Sequence, residues 1–182
     1  MRSLVDNLDK VILDIWALII DEVKDEAQNK LQFEIKDPNP FIGLALEIKL
    51  LKPINKDEEF KIWISYKTTE EGLSLNWLDP PQTAGKKHPY VYTHCEAIDC
   101  WCLAPLQDSP YIKSTYSAKI KSPKDLKVEM SGNKTKENVI GEYRFSEFLS
   151  GLPIPSYLLA LVAGNIEYRS LGARTGVFAE PE

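Results

Sequence analysis

The sequence predicts a mainly β chain, and three observations carry that reading. Apolar residues recur at every second position over several stretches, breaks rich in Pro and Asn separate those stretches, and no segment before residue 80 has a long helical period. A strand sends successive side chains to opposite faces, so a period of two turns one face to a core and the other toward water.

Residues 10–16, 18–24 and 31–36 are the first β candidates. Asp37-Pro38-Asn39-Pro40 follows as a turn, because proline fixes φ and Asn and Asp bond their own backbone. Leu44, Leu46, Ile48 and Leu50 alternate with Ala45, Glu47 and Lys49. Lys52-Pro53-Ile54-Asn55 reads as the next turn, after which Phe60, Ile62, Ile64 and Tyr66 alternate with Lys61, Trp63, Ser65 and Lys67. Between 77 and 110 the texture changes, and Asp79-Pro80-Pro81, Gly85 and His88-Pro89 predict a long irregular loop. Loops of that length are uncommon and more often functional than not. Alternation returns at Ile112, Ser114, Tyr116, Ala118 and Ile120, and again at Tyr143 and Phe145, with the polar stretch 131–138 expected as a mobile hairpin end. The apolar run 157–163, bounded by Pro155 and Gly164, predicts a strand buried on both faces. One domain, 1–182, accommodates the whole pattern.

Composition narrows the function classes. With 43% hydrophobic residues the chain has the material for a packed core, which excludes a disordered chain. The net charge is −5 and Lys86-Lys87 is the densest basic pair, too little for a nucleic-acid footprint. The longest apolar run, 11–20, is interrupted by Asp14 and falls far short of the ~20 residues of a membrane span. Asp6 and Asp9 follow Met1-Arg2-Ser3-Leu4 where a signal peptide would be apolar. Cys95, Cys100 and Cys102 are an odd set crowded together, which predicts reduced thiols in a cytoplasmic protein. The sequon Asn133-Lys134-Thr135 is then a chance match.

The chain offers little chemistry of its own, and no catalytic residue is expected. His88 and His94 are its two histidines, and neither belongs to an H-E-x-x-H pair; no G-x-S-x-G, Walker-type or G-x-G-x-x-G sequence occurs. His94 adjoins Cys95, but strand neighbours point to opposite faces, which argues against a Cys–His pair. His94, Cys95, Asp99, Cys100 and Cys102 come from one short segment with no second ligand pair, so structural thiols are expected and a metal site is not. Trp63, Trp77, Tyr90, Tyr92 and Trp101 are expected to pack in a core or pair across strands, not to form a stacking platform.

Specific sequence resemblance begins at Trp77-Leu78-Asp79-Pro80-Pro81-Gln82-Thr83-Ala84-Gly85-Lys86-Lys87-His88-Pro89-Tyr90 and continues through Cys95-Glu96-Ala97-Ile98 and 103–110. Pro153-Ile154-Pro155-Ser156-Tyr157-Leu158-Leu159-Ala160-Leu161-Val162 and Leu171-Gly172-Ala173-Arg174-Thr175 extend it in order. Together they resemble the leukotriene A-4 hydrolase and aminopeptidase B branch of the zinc aminopeptidases, family M1. The resemblance implies a saddle-like, multi-sheet β-sandwich that packs over a thermolysin-like catalytic domain, with zinc in the cleft between them. The H-E-x-x-H ligands fall outside these residues, so the chain is expected to hold no cofactor of its own. It also implies that the family's first strands are missing here, leaving an exposed sheet edge open to self-association.

One part of the family's site falls within the chain. Glu96 stands where a Gln or Glu reaches the free amino end of the substrate, and Ala97 is carried over as a pocket wall. A carboxylate beside an α-ammonium offers a charge-assisted hydrogen bond. The branch usually has Gln at this position; Leu106, Ser109 and Asp99 also depart from its pattern. The function implied is the substrate-recognition domain of a zinc metallo-aminopeptidase, inactive alone, acting on peptide N-termini with a separate catalytic segment. The alternative is a standalone non-catalytic paralogue that binds or scaffolds.

Overall fold

The computed structural model describes residues 1–36 and 43–182, so the turn expected at Asp37-Pro38-Asn39-Pro40 lies outside the described residues. Strands dominate, as the alternation predicts, and helical residues among those described are confined to three single 3-10 turns. The strands form several separate antiparallel sheets, and the chain divides into two compact units.

The first unit comprises Met1–Leu73 and Ile98–Ser109. Its strands are β1 (Leu8–Ile15), β2 (Leu18–Asp25), β3 (Phe33–Lys36), β4 (Leu44–Ile54) and β5 (Ile62–Thr68). They make a sheet in the order β1-β4-β3 and a ribbon of β2 with β5. Leu13 opposes Leu46 and Val11 opposes Ile48, so the apolar faces of β1 and β4 coincide. Leu46 and Ile48 are fully buried with Ile15 and Val23, and Ile62, Ile64 and Tyr66 of β5 pack against that cluster. The turn expected at 52–55 falls later. β4 runs through Pro53 to Ile54, and the chain reverses where Asn55 N–H meets the Glu58 carboxylate at 2.9 Å and Asp57 takes a φ of +67°. Pro53 is tolerated because the β1–β4 register shifts between Leu8 and Lys10, leaving its position without a ladder bond to lose.

The second unit comprises Ser74–Ala97 and Pro110–Glu182. Here β6 (Leu75–Leu78), β7 (Tyr90–Thr93), β12 (Leu161–Gly164) and β9 (Lys127–Met130) form a four-stranded sheet in that order. A second sheet runs β10 (Asn133–Ile140), β11 (Tyr143–Pro155), β8 (Lys113–Pro123), and β13 (Glu167–Gly172) pairs with β14 (Thr175–Ala179). Val91, Val128 and Ala163 stand side by side across the first sheet and pack with Phe148 as the core.

Three expectations are corrected in this unit. The 77–110 loop contains β7, a strand short enough for its Pro and Gly flanks to mask. The polar stretch 131–138 is mostly strand: β10 carries its charges because Lys134 pairs with Glu129 (2.6 Å) and Glu137 (3.1 Å), and Arg144 with Glu137 (2.7 Å). The run 157–163 is a 3-10 turn at Ser156–Leu158 followed by β12, of which Ala163 and Gly164 are buried and Leu161 and Val162 half-buried. Among the described residues, no helix is long and apolar enough to cross a membrane.

Candidate functional site

Glu96 and Ala97 leave the four-stranded sheet at the end of β7. That strand is fixed on both sides: Trp77 and Asn76 of β6 oppose Val91 and Tyr92, and Val162 of β12 opposes Tyr92. Past Thr93 the backbone remains tied. The Leu161 N–H donates to Thr93 Oγ1 at 2.8 Å, and the His94 N–H donates to the Ser74 carbonyl at 2.8 Å. Cys95 is then buried, 3% exposed. Glu96 and Ala97 follow in an exposed turn, joined by a cis peptide bond. An anchored strand thus presents one carboxylate to solvent, the arrangement in which an ammonium can be met without ordering a long loop first.

The segment that feeds β7 is held as firmly. Thr83 is buried, with Oγ1 2.9 Å from the Pro80 carbonyl and 3.1 Å from the His88 carbonyl, and the Asp79 N–H donates to Gln82 Oε1 at 2.8 Å. The Ala84 N–H faces both Glu180 carboxylate oxygens at 3.1 Å. The Tyr90 ring lies on Gly164 so closely that a Cβ there would sit 2.5 Å from the ring's Cδ2. Burial pushes the Tyr90 phenol up, and the charge of Glu180 and the neighbouring Tyr92 push the same way. Sequence reasoning passed over Tyr90, Gly164 and Glu180 as parts of this support. A glycine closing an apolar strand was the available signal, since strand glycines mark close approach.

Other expected groups scatter. Cys95 belongs to the second unit, Cys100 and Cys102 to the first; all three are buried and none is in a disulfide. Trp101 is 8% exposed, as expected of a core aromatic, whereas Trp63 and Trp77, 57% and 60% exposed, are not core residues and stand across paired strands opposite Lys24 and Val91. Both stand in ribbon or edge strands that leave one face open. In the first unit the Asp108 N–H donates to Asp14 Oδ2 at 2.7 Å and Asp108 accepts from the Trp101 N–H at 3.0 Å, tying Ile98–Ser109 to β1. Burial pushes the Asp14 carboxyl up, opposed by that hydrogen bond and aided by the charge of Asp108.

Compared with known families, residues 3–158 match the Peptidase M1 N-terminal domain. The chain belongs to this family. As a Peptidase M1 N-terminal domain it is 36% identical to leukotriene A-4 hydrolase of Xenopus laevis, over all of this chain and 30% of that protein. It is also 36% identical to leucine aminopeptidase 2 of Aspergillus oryzae, again over its full length and 30% of the relative. The chain thus spans about a third of the length of the curated relatives it matches. Among solved structures, native yeast LTA4 hydrolase superposes with a TM-score of 0.86 at 32% identity, covering 99% of this chain and 27% of that one. The M1 zinc metallopeptidase from Deinococcus radiodurans, at 20% identity, covers 95% of this chain and 39% of its own and shares the fold with a TM-score of 0.73.

The family resemblance and the multi-sheet β fold read from the sequence are therefore borne out. The residues described do not fit the family's zinc: no group of three or more His, Cys, Asp or Glu among them is placed to hold a metal ion.

Proposed function

We propose that this chain is the substrate-recognition domain of a zinc metallo-aminopeptidase, in which Glu96 accepts hydrogen bonds from the free amino end of a peptide and Ala97 walls the same spot. The observation that carries the reading is the exposed Glu96 turn at the end of an anchored strand in a Peptidase M1 N-terminal domain. Hydrolysis belongs to a separate catalytic segment, which supplies the zinc and the general base. Residues 1–182 act as one such domain, and their buried thiols suit a reducing, cytoplasmic compartment. Self-association through a sheet edge fits this reading as well, because β3 is an edge strand exposed along its whole length.

The test is a chimaera in which this chain replaces the matching portion of yeast LTA4 hydrolase, assayed for release of amino acids from chromogenic aminoacyl substrates. Glu96→Ala is expected to raise KM about tenfold or more, the scale of one lost hydrogen bond to a charged group, and Glu96→Gln to do less. An unchanged KM in Glu96→Ala sinks the role of Glu96. A folded, zinc-loaded chimaera with no turnover favours a non-catalytic binding domain instead.

A further inference from the structure

Nothing in peptide recognition calls for the acidic segment Glu180-Pro181-Glu182, yet it converges on one basic loop. Both Glu180 oxygens lie 3.1 Å from the Ala84 nitrogen. At the next residue, Gly85, a Cβ would sit 3.1 Å from Glu182 Oε2 and 3.4 Å from Oε1, so the absent side chain leaves room for a second carboxylate. Lys86 follows with a left-handed φ of +55°. In a tight loop such a residue turns neighbouring N–H groups toward one side, the basis of anion-binding concavities in backbone. Lys86-Lys87 is also the densest basic pair in the sequence. Behind these residues, buried Thr83 ties the loop to Pro80 and His88.

We propose that residues 83–88 form an anion-binding loop for paired oxygens, carboxylate or phosphate, and that Glu180 fills it in cis as a latch between the end of β14 and the segment feeding β7. The proposal stands independently of peptide recognition by Glu96. Its consequence is positional. Glu180 is near enough for its charge to be felt at Tyr90, and Tyr90 opens the strand that ends at the Glu96 turn. Closing the latch holds the entry of β7 in register; an anion that displaces Glu180 releases that entry from β14.

Amide exchange and chemical shifts of the full chain, followed by NMR, test this with inorganic phosphate as the probe. In Glu180→Gln, whose amide oxygen can still accept but carries no charge, the Ala84 amide should exchange about fivefold faster than in the parent chain, the scale of lost charge assistance. The Tyr90 phenol should titrate lower in that variant. Phosphate should shift the Ala84 and Gly85 resonances of Glu180→Gln saturably, and those of the parent chain at higher concentration. Glu180→Asp keeps the charge on a shorter arm and should give intermediate exchange, which preserves the test if the Gln variant fails to fold. Ala84 exchange unchanged in both variants overturns the latch. Faster exchange with resonances indifferent to phosphate overturns the anion-binding loop.

Discussion

Replacing Gly164 by alanine probes the support beneath the candidate site. Gly164 lies one residue beyond Ala163, which opposes Val91, and Tyr90 lies one residue before Val91. A Cβ at Gly164 would come within 2.5 Å of Tyr90 Cδ2, 3.2 Å of Cε2 and 3.3 Å of Cγ. Relaxed carbon contacts lie at roughly 3.5–4.0 Å, so the closest approach is short by about 1 Å. Of these atoms only Cγ lies on the axis of the outer torsion, so relieving the contact at Cδ2 requires the ring to turn away from its place on Gly164. Either the ring leaves its rotamer or β12 moves from β7, and overpacking of this kind costs about 1–3 kcal/mol. For a chain of this size each kcal/mol lowers the melting temperature by about 2–4 °C. The assay is urea unfolding of four proteins: the parent, Gly164→Ala, Tyr90→Ala and the double variant. Without the ring, Gly164→Ala should be neutral or stabilise by about 0.4–1 kcal/mol, because alanine narrows the unfolded ensemble. The coupling between the two sites should therefore exceed about 1 kcal/mol. If Gly164→Ala costs as much with the ring removed as with it present, the clash is not the cause and the reasoning fails.

Phe148 is 2% exposed between Val91, Val128 and Ala163, so Phe148→Ala should cost about 3–5 kcal/mol in urea unfolding; a loss below 1 kcal/mol would mean the second unit's core lies elsewhere. The folded Asp14 carboxyl is held above its usual 3.8, chiefly by burial. The folded state then keeps a proton that the unfolded chain has released, so stability declines as pH rises through that window. Asp14→Asn should accordingly raise the melting temperature at neutral pH, with the gain vanishing as pH falls below the unfolded value; a gain independent of pH would refute this. Glu137 works with the opposite sign. Burial raises its carboxyl, but the hydrogen bond and charge of Lys134, the charge of Arg144 and the Ser146 hydroxyl together hold it below 4.5. Its contribution is present above the unfolded value and lost as pH falls through the lowered one, so Glu137→Gln should destabilise at neutral pH and not in acid. Finally, the purified chain alone should release no amino acid from chromogenic aminoacyl substrates and bind no stoichiometric zinc, and turnover abolished by a chelator would overturn that.

The fold was legible wherever a strand is long enough to alternate and one face is apolar. β4 and β5 met both conditions, and their inward residues are the ones the pattern named. β7 failed the first: Tyr90–Thr93 offers two turns of the pleat between Pro89 and an exposed turn, too short for a period to emerge. β10 failed the second. Lys134 and Glu137 face the inner side of their sheet, where Glu129, Arg144 and Ser146 satisfy them, so an inward face reads as polar until its partners are known. Hydrophobic periodicity locates strands that bury carbon; it is blind to strands whose charges are paired along a largely exposed surface.

The candidate site was legible for a different reason. Nothing in the physical pattern distinguishes Glu96 from any other exposed carboxylate, and the family's sequence order alone singled it out. Its support was hidden because each element needs a partner distant in sequence: Gly164 is meaningful only beneath Tyr90, and Ala84 only opposite Glu180. The two kinds of signal therefore divide the site between them. Local sequence marks the residue proposed to meet a ligand, and long-range packing decides how firmly its strand is held. Tyr90 is where they join, since it rests on Gly164, feels the charge of Glu180 and begins the strand that delivers Glu96. A change at either support should reach the carboxylate through that one strand, and because Phe148 packs against Val91 of the same strand, a change there should act on stability and on the site together.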